Sequence, residues 1–116
     1  MAITVASGTT LSLATGVKSA ELVTGDNQYV GKGRVQLVVK QSAAAATGIR
    51  ATLTVGGIPL VNDQPIPFAG TTGTLSINDN MLIDQMVGGG RVGLTFRNDS
   101  AGTLTTDYLL LFTPGK

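Results

Sequence analysis

Apolar and polar residues alternate along the three most regular segments of this chain. In Arg34 to Gln41, the apolar Val35, Leu37 and Val39 share one face, opposite Arg34, Gln36 and Lys40. The same two-residue period recurs in Ile49 to Val55 and in Arg91 to Arg97. Successive side chains of a β-strand point to opposite sides, so this period predicts strands with one buried and one solvated face. Such half-solvated strands are typical of antiparallel sheets.

The last predicted strand, Thr103 to Phe112, is apolar on both faces. Tyr108 and Phe112 lie on one face, and Leu109 and Leu111 lie on the other. A strand of this kind is either central in a two-layered core or pressed against another subunit. On the second alternative, Leu109 and Leu111 are predicted to be subunit-interface residues.

Clusters of Gly, Asn and Asp separate strand-sized segments throughout the chain, which favours an antiparallel sandwich or barrel. Eight or more short strands leave little room for helix, so we predict an all-β, two-sheet antiparallel sandwich. A single jelly roll of about eight strands, forming one domain over residues 1–116, fits best. The weaker strand candidates are Ile3 to Ala6, Thr10 to Ala14, Glu21 to Thr24, Ile58 to Val61, Ile66 to Phe68 and Thr74 to Ile77.

Two segments depart from the strand pattern. Met81 to Val87 is predicted to be a brief helix or a loop, with Asp79 or Asn80 as the cap and Gly88 as the end. Ala43 to Ala46 has helical propensity but is too short to nucleate a helix. It is predicted to form the tip of a hairpin loop between the two strongest strands.

Composition excludes several kinds of chemistry. The 116 residues are 42% hydrophobic and 13% charged, and they include no His and no Cys. A thiol nucleophile, a disulfide, a His general base and the usual Cys/His zinc site are therefore excluded. The net charge of +1 gives no general attraction to nucleic acid or to anionic membranes. The first ten residues do not have the pattern of a secretory signal, and no apolar run is long enough to span a membrane, so we expect neither secretion by such a signal nor a membrane partner.

No catalytic or cofactor-binding motif stands out. Without His, a hydroxyl nucleophile would need Lys or the N-terminal amine as its base, and no G-x-S-x-G element occurs. Most acidic residues adjoin Asn or Gly, as turn-forming Asp residues do. Calcium could be held by Asn78 to Asn80 with Asp84, or by Asn62 to Gln64, although neither has EF-hand spacing. Gly88 to Gly90 precedes a strand rather than a helix, which excludes a phosphate loop. We predict no enzyme, cofactor or metal site.

The basic residues suggest a binding face. If the strands at Arg34 to Gln41 and Ile49 to Val55 pair, their basic residues lie on one solvated face that carries no acid. Such a face could contact the phosphates of a nucleic acid, or it could be an ordinary solvated face whose charges discourage edge pairing. The predicted nucleic-acid-facing residues are Lys32, Arg34, Lys40 and Arg50.

Two segments resemble viral coat proteins. Gly88 to Thr103, with the apolar final strand ending at Thr113-Pro114, resembles the closing hairpin of single jelly-roll virion proteins. The hairpin Arg34 to Ser42 with Ile49 to Val55 is similar to the RNA-facing hairpin of single-stranded RNA bacteriophage coats. The chain departs from both, since it lacks the long C-terminal helices of the phage coats and the basic arm of many jelly-roll coats.

The resemblance and the composition together predict a structural protein that assembles with copies of itself. Few charges, a mean hydropathy of +0.28 and the two-faced last strand favour shared surfaces. The expected function is that of a viral capsid or virion shell component, assembled in the host cytoplasm and in contact with the viral genome through the basic face. The alternative is a carbohydrate-binding or adhesive sandwich of a phage tail or cell surface, in which Tyr29 is the one well-placed aromatic.

Overall fold

Eight strands form the regular structure in the computed structural model, which describes residues 3–23, 28–42, 48–66, 80–99 and 102–115. No helix occurs among these residues, and the prediction of an all-β chain is confirmed. The strands are β1 (Ile3–Leu13), β2 (Tyr29–Val30), β3 (Gly33–Gln41), β4 (Ile49–Val55), β5 (Ile58–Pro65), β6 (Met81–Val87), β7 (Gly90–Asn98) and β8 (Leu104–Pro114).

The strands pair in a nested order. β1 pairs with β8, β2 with β7, β3 with β6 and β4 with β5, and every pair is antiparallel. Two further pairs, β3 with β8 and β4 with β7, complete a first sheet in the order β1-β8-β3-β6 and a second in the order β2-β7-β4-β5. This is the strand order of a jelly roll, in which one long hairpin is rolled into two facing sheets. The predicted two-sheet sandwich is confirmed.

The core lies between the sheets and follows the alternation of the sequence. In β4 the residues from Ile49 to Val55 are alternately buried and half-buried. Phe96 of the second sheet faces Tyr108 of the first, with ring centroids 5.5 Å apart and a tilted geometry that aromatic pairs favour. Gly8 lies against the same Tyr108 ring, because a Cβ on Gly8 would come within 2.7 Å of it. Aliphatic residues make up most of the remaining core.

Two buried amide side chains tie the sheets together. Gln41, at the end of β3, donates from Nε2 to the Ile66 carbonyl at 2.7 Å and accepts from the Ile49 amide at 3.0 Å. Asn98, at the end of β7, donates to the Leu13 carbonyl of β1 at 2.7 Å. Both side chains are almost fully buried. Because a buried amide without partners is costly, these bonds fix how the strand ends meet.

The segment Met81 to Val87 is strand β6, so the prediction of a helix or loop there is wrong. It pairs along β3, with Ile83 opposite Leu37, and a register irregularity follows that pair. Ile83 and Leu82 pack against the core. Pairing with a distant strand outweighs the local capping signals that suggested a helical turn.

The predicted hairpin between β3 and β4 is also wrong. The two strands lie in different sheets, because β3 pairs with β6 and β8 whereas β4 pairs with β5 and β7. Their connection crosses from one sheet to the other. Its tip, Ala43 to Ala46, lies outside the described residues.

The weaker strand candidates are matched unevenly. Ile3 to Ala6 and all but the last residue of Thr10 to Ala14 belong to the single strand β1, which carries two register irregularities. The candidate at Ile58 opens β5, and Ile66 follows that strand. Residues 21–23 run beside β7 without forming a strand, and residues 24, 67–68 and 74–77 lie outside the described residues.

Candidate functional site

The four predicted basic residues do not form one face. Lys32 precedes β3 and Arg34 and Lys40 lie on it, in the first sheet, whereas Arg50 lies on β4 of the second. The interpretation depended on pairing between β3 and β4, and that pairing is absent. A contact between any one of these residues and nucleic acid stays a prediction.

The face that carries Arg34 also contains acid, contrary to expectation. Arg34 Nε lies 2.8 Å from Asp84 Oδ1 on the neighbouring strand β6. Lys40 is 6% exposed, and its cross-strand partner Asp107 is fully buried. A buried lysine is poorly placed for a phosphate of a passing nucleic acid. The predicted acid-free basic face is therefore wrong.

Leu109 and Leu111 lie on the outer face of the first sheet. Both are half-buried, whereas Leu110 between them is fully buried in the core. Leu109 is the cross-strand partner of Val38, which is itself buried although it too points away from the core. Strand β8 is thus central in its sheet and also presents an apolar outer face. The role of these two leucines in a subunit interface stays a prediction.

A polar groove crosses the outer face of the second sheet. Its floor is made of small side chains on β4 and β7, where Thr52 pairs with Thr95 and Thr54 pairs with Gly93. Two adjoining depressions of about 280 and 310 Å³ lie over these pairs. The groove is walled by residues that follow β1 on one side and by residues at or beside β5 on the other. The wall residues are Lys18, Glu21, Gly57, Asn62 and Asp63.

A charged cluster holds one end of the groove in place. Arg97 donates to Asp63 through Nε at 3.3 Å and through Nη2 at 2.8 Å, and its Nη1 lies 3.1 Å from Asp99 Oδ1. Arg50 Nη1 donates to the Asp63 carbonyl at 2.9 Å. Arg50 and Arg97 are cross-strand partners, so the two aspartates offset the repulsion between them. The hydrogen bond from Arg97 holds the pKa of Asp63 below its usual value.

Glu21 is fixed at the middle of the groove. Its Oε2 accepts hydrogen bonds from the Leu94 amide at 2.7 Å and from the Val23 amide at 3.1 Å. Oε1 lies over Gly93 beside Thr54, since a Cβ built on Gly93 would be 2.9 Å from Oε1 and 3.0 Å from the Thr54 hydroxyl. Sequence analysis missed Glu21 as a site residue, because its contact with β7 spans 73 positions and leaves no local pattern.

Comparison with protein-family models, with curated proteins and with solved structures gives no match for this chain. The functional interpretation therefore depends on geometry. No group of three or more acidic residues suited to a metal ion occurs in the described part of the chain. Of the calcium candidates, Asp63 is bound by Arg97 and Asp84 by Arg34, while residues 78 and 79 lie outside that part. The described residues also include no helix with the length and apolar character needed to cross a membrane.

Proposed function

We propose that this chain is a structural protein that assembles with copies of itself, as a component of a viral shell. The observation that carries the proposal is an apolar depression between β5 and β6, at one end of the sandwich. Ile58 and Met86 rim it with 65% and 57% of their surface exposed, and none of the described residues that line it is charged. Exposed apolar surface of this kind favours coverage by a partner.

The fold adds support by analogy. Jelly rolls occur in viral shells, lectins and cupins, and a fold of this kind does not by itself assign a function. Metal-dependent cupin chemistry would need His ligands, and the sequence has none. A shell role needs only surfaces that repeat by symmetry, which closed assemblies of identical subunits supply.

The test is light scattering after size exclusion, with negative-stain imaging, on protein at micromolar concentration. We expect rings or shells well above the 11.8 kDa of one chain. Replacing both Ile58 and Met86 by Asp should give a folded monomer. Val17→Asp is the matched control, since Val17 is 44% exposed but lies beside Asn98, at the opposite end of β7.

A wild-type protein that stays monomeric under these conditions would overturn the proposal. Absorbance at 260 and 280 nm on the same fractions tests the genome contact separately. Nucleic acid that co-purifies with the particles and is lost in Arg34→Ala would support it, because Arg34 is the exposed basic residue of β3.

A further inference from the structure

We infer that the groove on the outer face of the second sheet binds a neutral oligosaccharide. This site is separate from the apolar depression and does not depend on the assembly proposed above. The groove follows β7 from Arg91 to Arg97, and the six steps of extended chain between these residues span about 20 Å. That length suits a linear chain of several sugar rings rather than a single small molecule.

The floor of the groove suits hydroxyl groups. Three threonines and Gly93 cover it, and these small residues leave room for close approach of a ligand. The Thr52 hydroxyl accepts a hydrogen bond from the Asp63 amide at 3.1 Å, which fixes its position. Gly93 keeps the floor open, because any side chain there would meet Glu21 and Thr54.

The polar groups on the walls are fixed before any ligand arrives. Glu21 is held by two backbone amides through one carboxylate oxygen, which leaves the other oxygen facing the floor. Asp63 and Arg97 are held by each other. Sites that orient a ligand use a small number of rigidly placed polar groups of this kind, because less side-chain entropy is lost on binding.

An exposed aromatic ring lies at the other end of the groove. Tyr29 is 66% exposed and is the cross-strand partner of Arg91, whose side chain lines the groove. Cross-strand partners project from the same side of a sheet, so Tyr29 also faces outward there. A tyrosine ring offers an apolar face for the C–H side of a sugar, a contact that a phenylalanine ring would keep.

The charges favour a neutral ligand over an anionic one. Arg97 is bound by Asp63 and Asp99, and Arg50 by contacts with the same two residues. Glu21 at the middle of the groove is accompanied by Lys18 and Arg91, so the charges nearly offset one another and form no concentrated positive patch for a phosphate or a uronic acid. A nucleic acid strand would also need several stacking rings, whereas Tyr29 is the only exposed aromatic among the described residues.

A printed array of neutral and acidic oligosaccharides, probed with the full-length protein, tests the inference. We expect binding to neutral linear glycans, at least a tenfold loss in Tyr29→Ala and retention in Tyr29→Phe. Ile58→Ala is the control, because Ile58 is equally exposed but lines the apolar depression instead. Amide shifts of Thr52, Gly93 and Thr95 on titration with the best-bound glycan would locate the site.

Three results would overturn the inference. They are the absence of binding to every arrayed glycan, binding confined to acidic glycans, and binding that Tyr29→Ala leaves unchanged. Particle formation measured on the same variants separates the two proposals. Tyr29→Ala should leave assembly intact, and the Asp substitutions at Ile58 and Met86 should leave glycan binding intact.

Discussion

Gly90 and Gly56 bring two backbone segments into direct contact at one end of the sandwich. A Cβ built on Gly90 would lie 2.5 Å from the Gly56 Cα and 2.9 Å from its amide nitrogen. Gly90 also has a φ of +130°, a conformation that residues with a side chain rarely adopt. The turn between β4 and β5 thus packs on the start of β7 only because both positions lack a side chain.

Replacing Gly90 by Ala should therefore destabilise the fold strongly. Backbone strain and overpacking against backbone atoms together should lower the free energy of unfolding by about 2–5 kcal/mol. Gly88→Ala is the matched control, because a Cβ there meets nothing within 4 Å. Its effect should stay within about 0.5 kcal/mol. Urea denaturation of both variants measures the difference, and equal midpoints would contradict the close approach.

Gln41→Met should be costly although it preserves the size of the side chain. The substitution leaves the Ile49 amide and the Ile66 carbonyl without their partner in a buried position. We expect a loss of about 2–4 kcal/mol in the free energy of unfolding. Gln36→Met on the same strand is the control, since Gln36 makes one exposed bond of 3.4 Å. Similar losses in the two variants would argue against the bridging role of Gln41.

The strands with a two-residue period could be predicted from the sequence. β4 matches its predicted bounds, β3 begins one residue earlier than predicted, and β7 extends one residue further at each end. In these segments local alternation sets the face that points into the core, so the pattern is enough to predict the strand and that face.

The sheet partners and the groove could not be predicted in this way. β3 and β4 are the two strongest strands and are joined by a short connection, yet the nested pairing puts them in different sheets. The site consequently draws on residues far apart in sequence, such as Glu21 with Leu94 and Asp63 with Arg97. No local periodicity records such contacts, and β6 was misassigned for the same reason.

Alkaline pH should destabilise the fold through Tyr108. Burial raises the pKa of its phenol above the ordinary value of 10.0. Because the pKa is higher in the folded state, the neutral phenol contributes its full stabilisation at pH values below its pKa in the unfolded state. This contribution is lost as the pH rises through its pKa in the folded state. Ultraviolet titration should show a late-ionising phenol that Tyr108→Phe removes. The variant should also lose less stability than the wild type above pH 10, and equal losses would contradict the argument.

Low pH should remove the stabilisation of the fold by the ion pair between Asp63 and Arg97. The pKa of Asp63 is lowered from 3.8, chiefly by the hydrogen bond from Arg97. Because the pKa is lower in the folded state, the carboxylate contributes its full stabilisation at pH values above its pKa in the unfolded state. This contribution is lost as the pH falls through its pKa in the folded state. Asp63→Asn should therefore lower the thermal midpoint at pH 7, only slightly because the pair is partly exposed. The difference from the wild type should shrink below about pH 4.

Asn is the right replacement because Asp63 has a φ of +48°, which Asn tolerates as well as Asp. Asp63→Ala removes the charge and also strains the backbone, so it should be less stable than Asp63→Asn at every pH. Thermal unfolding of the three proteins from pH 2 to pH 7 separates the two contributions. A gap between wild type and Asp63→Asn that persists unchanged at pH 2 would show that the carboxylate charge is not its source. A gap that closes in acid, with Asp63→Ala still less stable than both, would trace the first effect to the charge pair with Arg97 and the second to backbone strain at Asp63 within the irregular part of β5.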